Sequence, residues 1–133
     1  MYSRALIELS EMAYQLFTRT AARIETPTVS IAPDGRIAIN AAVVRIFAEA
    51  RINSVVLLWD EKTHQMALKA ARKNDGNSYV VSFSKGHSGI LRAKSFLSYI
   101  RWKARGRERL AATWNAKDQM IEVMLPAEHL GDS

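Results

Sequence analysis

Cysteine is absent from the 133-residue chain, which excludes disulfides and thiolate metal centres. With no oxidative staple, a cytoplasmic location is expected. Proline (3 residues) and glycine (6 residues) are scarce, so a collagen-like chain is excluded. Long hydrophobic runs are missing as well. The longest in the middle of the chain is Val55 to Trp59, far short of the roughly 20 residues that cross a bilayer. The first residues carry Arg4, Glu8, Glu11, Arg19 and Arg23, unlike a signal peptide. What remains, 48% apolar and 24% charged, is ordinary for a globular domain and excludes a disordered chain or a coiled-coil rod. The length favours one domain, since units below about 70 residues bury too little apolar surface to stand alone.

The unusual bulk property is a net charge of +6. Residues 85–109 hold eight basic groups against the single acid Glu108, whereas 110–133 hold Lys117 against four acids. Clustered positive charge attracts polyanions by releasing their condensed counterions. A solubilising surface is the plainer reading of the same run. Within it Arg101, Lys103, Arg105, Arg107 and Arg109 recur at every second position. In an extended segment these side chains would share one side at intervals of about 6.6 Å, near the phosphate spacing of a nucleic-acid strand. Gly106 would let such a loop bend toward a groove.

Residues 3–24 read as a helix with Leu6, Leu9, Ala13, Leu16 and Phe17 on one face, Ser3 as N-cap and Pro27 as the stop. So narrow a stripe predicts docking on the body of the chain or on a second subunit. Thr28 to Ile31 and Arg36 to Ile39 flank Pro33-Asp34-Gly35, a hairpin signal. Asn40 is placed to cap a helix from Ala41 to about Ala50. Val55–Trp59 and Met66–Ala70 read as strands around the polar stretch 60–65. Asn74-Asp75-Gly76-Asn77 reads as a linker.

The second half repeats this layout. At an offset of 52, Val29 meets Val81, Ile31 meets Phe83, Ile39 meets Leu91, Val44 meets Phe96 and Phe47 meets Tyr99. After the helix the offset becomes 55, pairing Trp59 with Trp114, Lys62 with Lys117 and Leu68 with Val123. The three added residues fall inside the basic run. The expected fold is α+β and β-rich: an N-terminal helix (1–26), one barrel domain (27–126) of two pseudo-twofold-related ββαββ halves (28–73 and 79–126), and a short tail (127–133).

The segment Val29 to Ala70 resembles the AbrB/SpoVT (MazE-like) swapped-hairpin module. The residues carrying the resemblance are Ile31, the turn before Arg36, the alternating Arg36-Ile37-Ala38-Ile39, the helix from Ala41 and the hairpin Val55 to Ala70. Ser84-Lys85-Gly86, Ala93 to Ile100 and Leu110 to Leu125 carry it in the second half. Together they cover roughly residues 28–126. Family members usually build the barrel from two chains, and the MraZ branch holds tandem copies in one. The resemblance implies a DNA-binding transcription regulator, or an antitoxin repressing its own operon. The sequence departs from the family at Asn40, where proline is usual, and after Ala50, where glycine is usual. It lacks the MraZ Asp-x-x-x-Arg signature, and no long tail of the toxin-wrapping kind follows Pro126. Family DNA contacts come from the turn and helix start. This carries Arg36 and Arg45 over from the first half, beside Lys85, Arg92 and Lys94 of the second. Such cations position a protein on phosphates, and arginine can also reach guanine edges.

Catalysis is not expected. His64, His87 and His129 have no partner at metal-ligand helical spacing, and Asp60, Glu61 and His64 read as a solvated turn. Lys85-Gly86-His87-Ser88-Gly89 lacks phosphate-loop spacing, and a turn explains its glycines. No serine sits in a nucleophile elbow. Trp59 and Trp114 could stack on bases, but covering the ends of the core is the favoured reading, and Tyr99 is expected in the core. The sequence therefore predicts a non-catalytic DNA-binding protein without cofactor or metal. A homodimer through the N-terminal helix is a further possible assembly. The alternative is a protein-interaction module using that helix and the basic loop, and an RNA partner is a third reading.

Overall fold

A computed structural model of the chain describes residues 26–72, 75–85 and 87–131. The helix expected over 3–24 lies outside them, as do Asn74, Gly86 and the last two residues of the tail.

Strand β1 (Thr28–Ile31) and strand β2 (Arg36–Ile39) form the first hairpin, in register Val29 to Ile39 and Ile31 to Ile37. All four of these apolar side chains point inward and are buried. The turn between them needs its glycine. Gly35 has φ +101°, and a Cβ there would lie 2.7 Å from Lys94 Cβ.

Helix α1 (Ala41–Ala50) follows. Its cap explains the asparagine at position 40. Asn40 Oδ1 accepts from the backbone N–H of Val43 and of Thr28, each at 3.2 Å, while Nδ2 donates to Thr26 O at 2.9 Å. The backbone N–H of Asn40 donates to Thr28 O at 3.3 Å, a bond that proline would forfeit. At the other end Arg51 N–H donates to Ala48 O and Ile52 N–H to Phe47 O, with Arg51 at φ 58° and ψ 43°. This is a Schellman closure with arginine at the left-handed position usually held by glycine.

Strands β3 (Ser54–Asp60) and β4 (Gln65–Ala70) form the second hairpin. Beyond the turn at 75–78 come β5 (Tyr79–Val80), β6 (Ser82–Ser84), β7 (Ser88–Arg92), helix α2 (Lys94–Tyr99), β8 (Glu108–Asn115) and β9 (Met120–Met124). A one-turn 3-10 helix (Ala127–His129) closes the described chain.

Among the described residues all strand pairs are antiparallel, and the nine strands run in the order β5-β3-β4-β9-β8-β1-β2-β7-β6. The outermost two, β5 and β6, are joined by the single residue Val81, so the sheet curls into a nearly closed barrel. Val81 is buried and its N–H donates to Asn53 O at 3.0 Å. Four ladders join the first stretch of chain to the second: β1 with β8, β2 with β7, β4 with β9 and β3 with β5. The two long hairpins turn alike. Asp60 Oδ1 accepts from Lys62 and Thr63 N–H, Asn115 Oδ1 accepts from Asp118 N–H, and His64 and Gln119 end the turns at φ 57° and 54°.

The core holds Val29, Ile31, Ile37, Ile39, Val43, Phe47, Val55, Met66, Leu68, Leu91, Ile121 and Val123. Trp59 and Trp114 are half-buried against it. Tyr99 departs from its expected place in the core. Phe47 is fully buried, but Tyr99 is 77% exposed. The second half turns a different helix face inward: Leu97 and Ile100 are buried, whereas their counterparts at the 52-residue offset, Arg45 and Ala48, are exposed. Phe83 differs from its expected counterpart Ile31 in the same way, because β6 ends the sheet with a strand on one side only. Among the described residues no helix is long and apolar enough to cross a membrane.

Candidate nucleic-acid interface

All ten basic residues singled out in the sequence are exposed: Arg36, Arg45, Lys85, Arg92, Lys94, Arg101, Lys103, Arg105, Arg107 and Arg109. They do not form one patch. The β2–β7 ladder aligns Arg36 with Arg92 as direct Cα partners. Residues Ile37 and Leu91 beside them point into the core, so alternation turns both arginines outward. Directly opposed positions lie about 4.5–5.5 Å apart, where like charges repel.

Arg109 sits on the same outer face. It is level with Ser30, Ala38 and Ile90 across β8, β1, β2 and β7, one two-residue step along from Arg36 and Arg92. Lys94 opens α2 directly against the Pro33-Asp34-Gly35 turn, and Ala93 N–H donates to Gly35 O at 2.8 Å. Lys85 and Arg45 lie elsewhere. Lys85, at φ 47° in the β6–β7 turn, is separated from Arg92 by the length of β7, about 13 Å. Arg45 is carried by α1, which leaves the end of β2 opposite Arg36.

The run from Arg101 to Arg109 is not one extended strand. Arg101 takes φ 63° where α2 closes, Trp102 bridges to Leu130, and the backbone bends at Arg105-Gly106 before β8 begins at Glu108. A regular 6.6 Å ladder of five cations is therefore not built. Exposure alternates only in part: Trp102, Ala104 and Glu108 are partly or fully buried between exposed cations, but Arg105, Gly106 and Arg107 are all exposed.

Two features escaped the sequence reading. The first is an acid inside the basic face. Asp34 Oδ2 meets Arg36 Nε at 2.8 Å, and Asp34 Oδ1 accepts from Arg36 N–H at 3.2 Å. The Arg36 backbone N–H chiefly, then the charge of Arg36 and more weakly that of Arg92, hold the Asp34 carboxyl below its usual range. Its position in a Pro-Asp-Gly turn was the available signal, but turn chemistry alone accounts for an aspartate there.

The second is the bracing of the basic loop by the tail. Lys103 N–H donates to His129 O and Gly131 N–H donates to Arg101 O, both at 2.8 Å. His129 packs its ring on Trp102 at 5.4 Å between centroids, with Nε2 3.4 Å from Glu108 Oε1. Nothing in the residue types of 127–131 signals this role.

Trp59 stacks on His64 at 6.4 Å and 11°, so the half-buried indole already has a ring partner. Among the described residues no group of three or more His, Asp and Glu side chains is placed to hold a metal ion. Comparison of the chain with protein-family models, with curated proteins and with solved structures found no match.

Proposed function

We propose that this chain is a non-catalytic, cytoplasmic DNA-binding protein, a transcription regulator of the AbrB/SpoVT kind carrying two tandem ββαββ copies in one swapped-hairpin barrel. Reciprocal bonds support the tandem reading: Ala70 N–H donates to Gln119 O and Leu125 N–H donates to His64 O. These partners are related by the 55-residue offset of the repeat. The observation that carries the binding reading is the outward pairing of Arg36 with Arg92, with Arg109 on the same face and Lys94 against the adjoining turn. Opposed arginines weaken a ladder by mutual repulsion, and a bound phosphate backbone relieves it.

The test is binding of a labelled DNA duplex at several salt concentrations. Arg36→Ala with Arg92→Ala should weaken binding and flatten the salt slope, by roughly 0.9 for each phosphate no longer neutralised. Arg105→Ala with Arg107→Ala should also weaken binding and flatten the slope. Unchanged affinity and slope in the first double variant would remove the Arg36–Arg92 face from the interface, and the same result in the second would remove the basic loop.

Exposed Val80, Phe83 and Tyr99 favour a second reading, a protein-interaction module. That reading requires no affinity for duplex DNA, together with loss of a partner or of self-association when residues 1–26 are deleted. Light scattering on the deletion tests the self-association. Competition between duplex DNA and single-stranded RNA separates the two nucleic acids.

A further inference from the structure

We infer that Asp34 is a built-in counterion that a DNA backbone phosphate must displace, and that it sets the affinity of the Arg36–Arg92 pair for duplex DNA. The inference rests on the DNA-binding reading above and names a residue that reading leaves out. Three cations from separate elements surround the Pro33-Asp34-Gly35 turn: Arg36 from β2, Arg92 from β7 and Lys94 from α2. Asp34 is the acid among them, and its carboxylate already holds Arg36 Nε at 2.8 Å. A carboxylate and a phosphodiester make the same charge-assisted bonds to a guanidinium. Both cannot hold the same guanidinium edge. With Asp34 seated, Arg36 offers an arriving phosphate little net charge, and binding becomes an exchange of one anion for another.

The same carboxylate also serves the free protein. It screens two directly opposed arginines whose repulsion otherwise weakens the β2–β7 ladder. One side chain therefore has opposite effects on the two states: it favours the folded, unliganded protein and disfavours the complex.

Asp34→Asn separates these effects, because asparagine retains an oxygen to accept the Arg36 N–H and so preserves the turn. The variant should bind a labelled DNA duplex roughly three- to tenfold more tightly. Its salt slope should steepen by up to about 0.9, the counterion release of one further neutralised phosphate. Its melting temperature should fall. In an Arg36→Ala background the gain from Asp34→Asn should shrink toward nothing, since the counterion acts through Arg36.

Unchanged or weaker binding by Asp34→Asn, in a protein whose parent binds DNA, overturns the counterion role. A gain that persists undiminished beside Arg36→Ala also overturns it, because the effect is then one of overall charge. If the parent chain binds no duplex at any salt, the DNA-binding reading itself fails, and this inference fails with it.

Discussion

Replacing Arg51 with glycine should make the protein more stable. Arg51 closes α1 at φ 58° and ψ 43°, a conformation that costs an L-residue about 1–2 kcal/mol and glycine almost nothing. The position is exposed, so little packing is lost with the side chain. Glycine's extra freedom in the unfolded chain returns about 0.5–1 kcal/mol of that gain. The net expectation is a stabilisation of about 0.5–1 kcal/mol. For a chain of 133 residues, a melting transition higher by about 2–4 °C follows. Chemical denaturation measures the difference directly, with Arg51→Ala as the control. Alanine loses the same side chain but retains the backbone strain, so it should be near neutral. If Arg51→Gly were neutral or destabilising while Arg51→Ala was strongly destabilising, the arginine side chain would be holding the helix end and the strain argument would be wrong.

Three further perturbations probe separate parts of the structure. Gly35→Ala combines a φ of +101° with a Cβ 2.7 Å from Lys94 Cβ, and should destabilise by about 2 kcal/mol or more, read by urea denaturation. Ending the chain at Pro126 removes the acceptor for Lys103 N–H, so hydrogen exchange at that amide should quicken by at least about tenfold. Unchanged protection would show that the tail does not brace the basic loop. Titration of the Asp34 carboxyl, followed by NMR, should show a midpoint below the ordinary 3.8 that moves up in Arg36→Ala. The sign for stability follows from that depression. The contribution of Asp34 to folding is complete above its unfolded midpoint and is lost as pH falls through the lower, folded one.

Local chemistry is the legible part of this chain. The Pro33-Asp34-Gly35 turn, the cap at Asn40 and the helix from Ala41 to Ala50 follow from residues close in sequence, each with its own backbone preference. Ladders between distant segments are harder to read. Alternation marks a strand's inner and outer faces but not its neighbour, so nothing in the residues around Arg36 and Arg92 announces that they stand opposite each other. The basic run shows a different limit. Its spacing by two predicts a straight edge, but the left-handed turn at Arg101 and the packing of Trp102 against Leu130 and His129 set the backbone course. Tyr99, expected inside, stands outside the core, since hydrophobic character and a frame offset do not fix which face of a helix turns inward.

Val81 gives the barrel a consequence of another kind. The two rims of the curled sheet are consecutive in the chain, so a covalent tether closes the ring where other barrels rely on a full ladder of hydrogen bonds. Two Cα–Cα steps limit the gap between Val80 and Ser82 to roughly 7 Å, whatever the solvent does to weaker forces. A transient opening of the sheet cannot begin by parting those rims. It has to begin as an unzipping between interior neighbours, which places the weakest point of the ring away from its apparent seam.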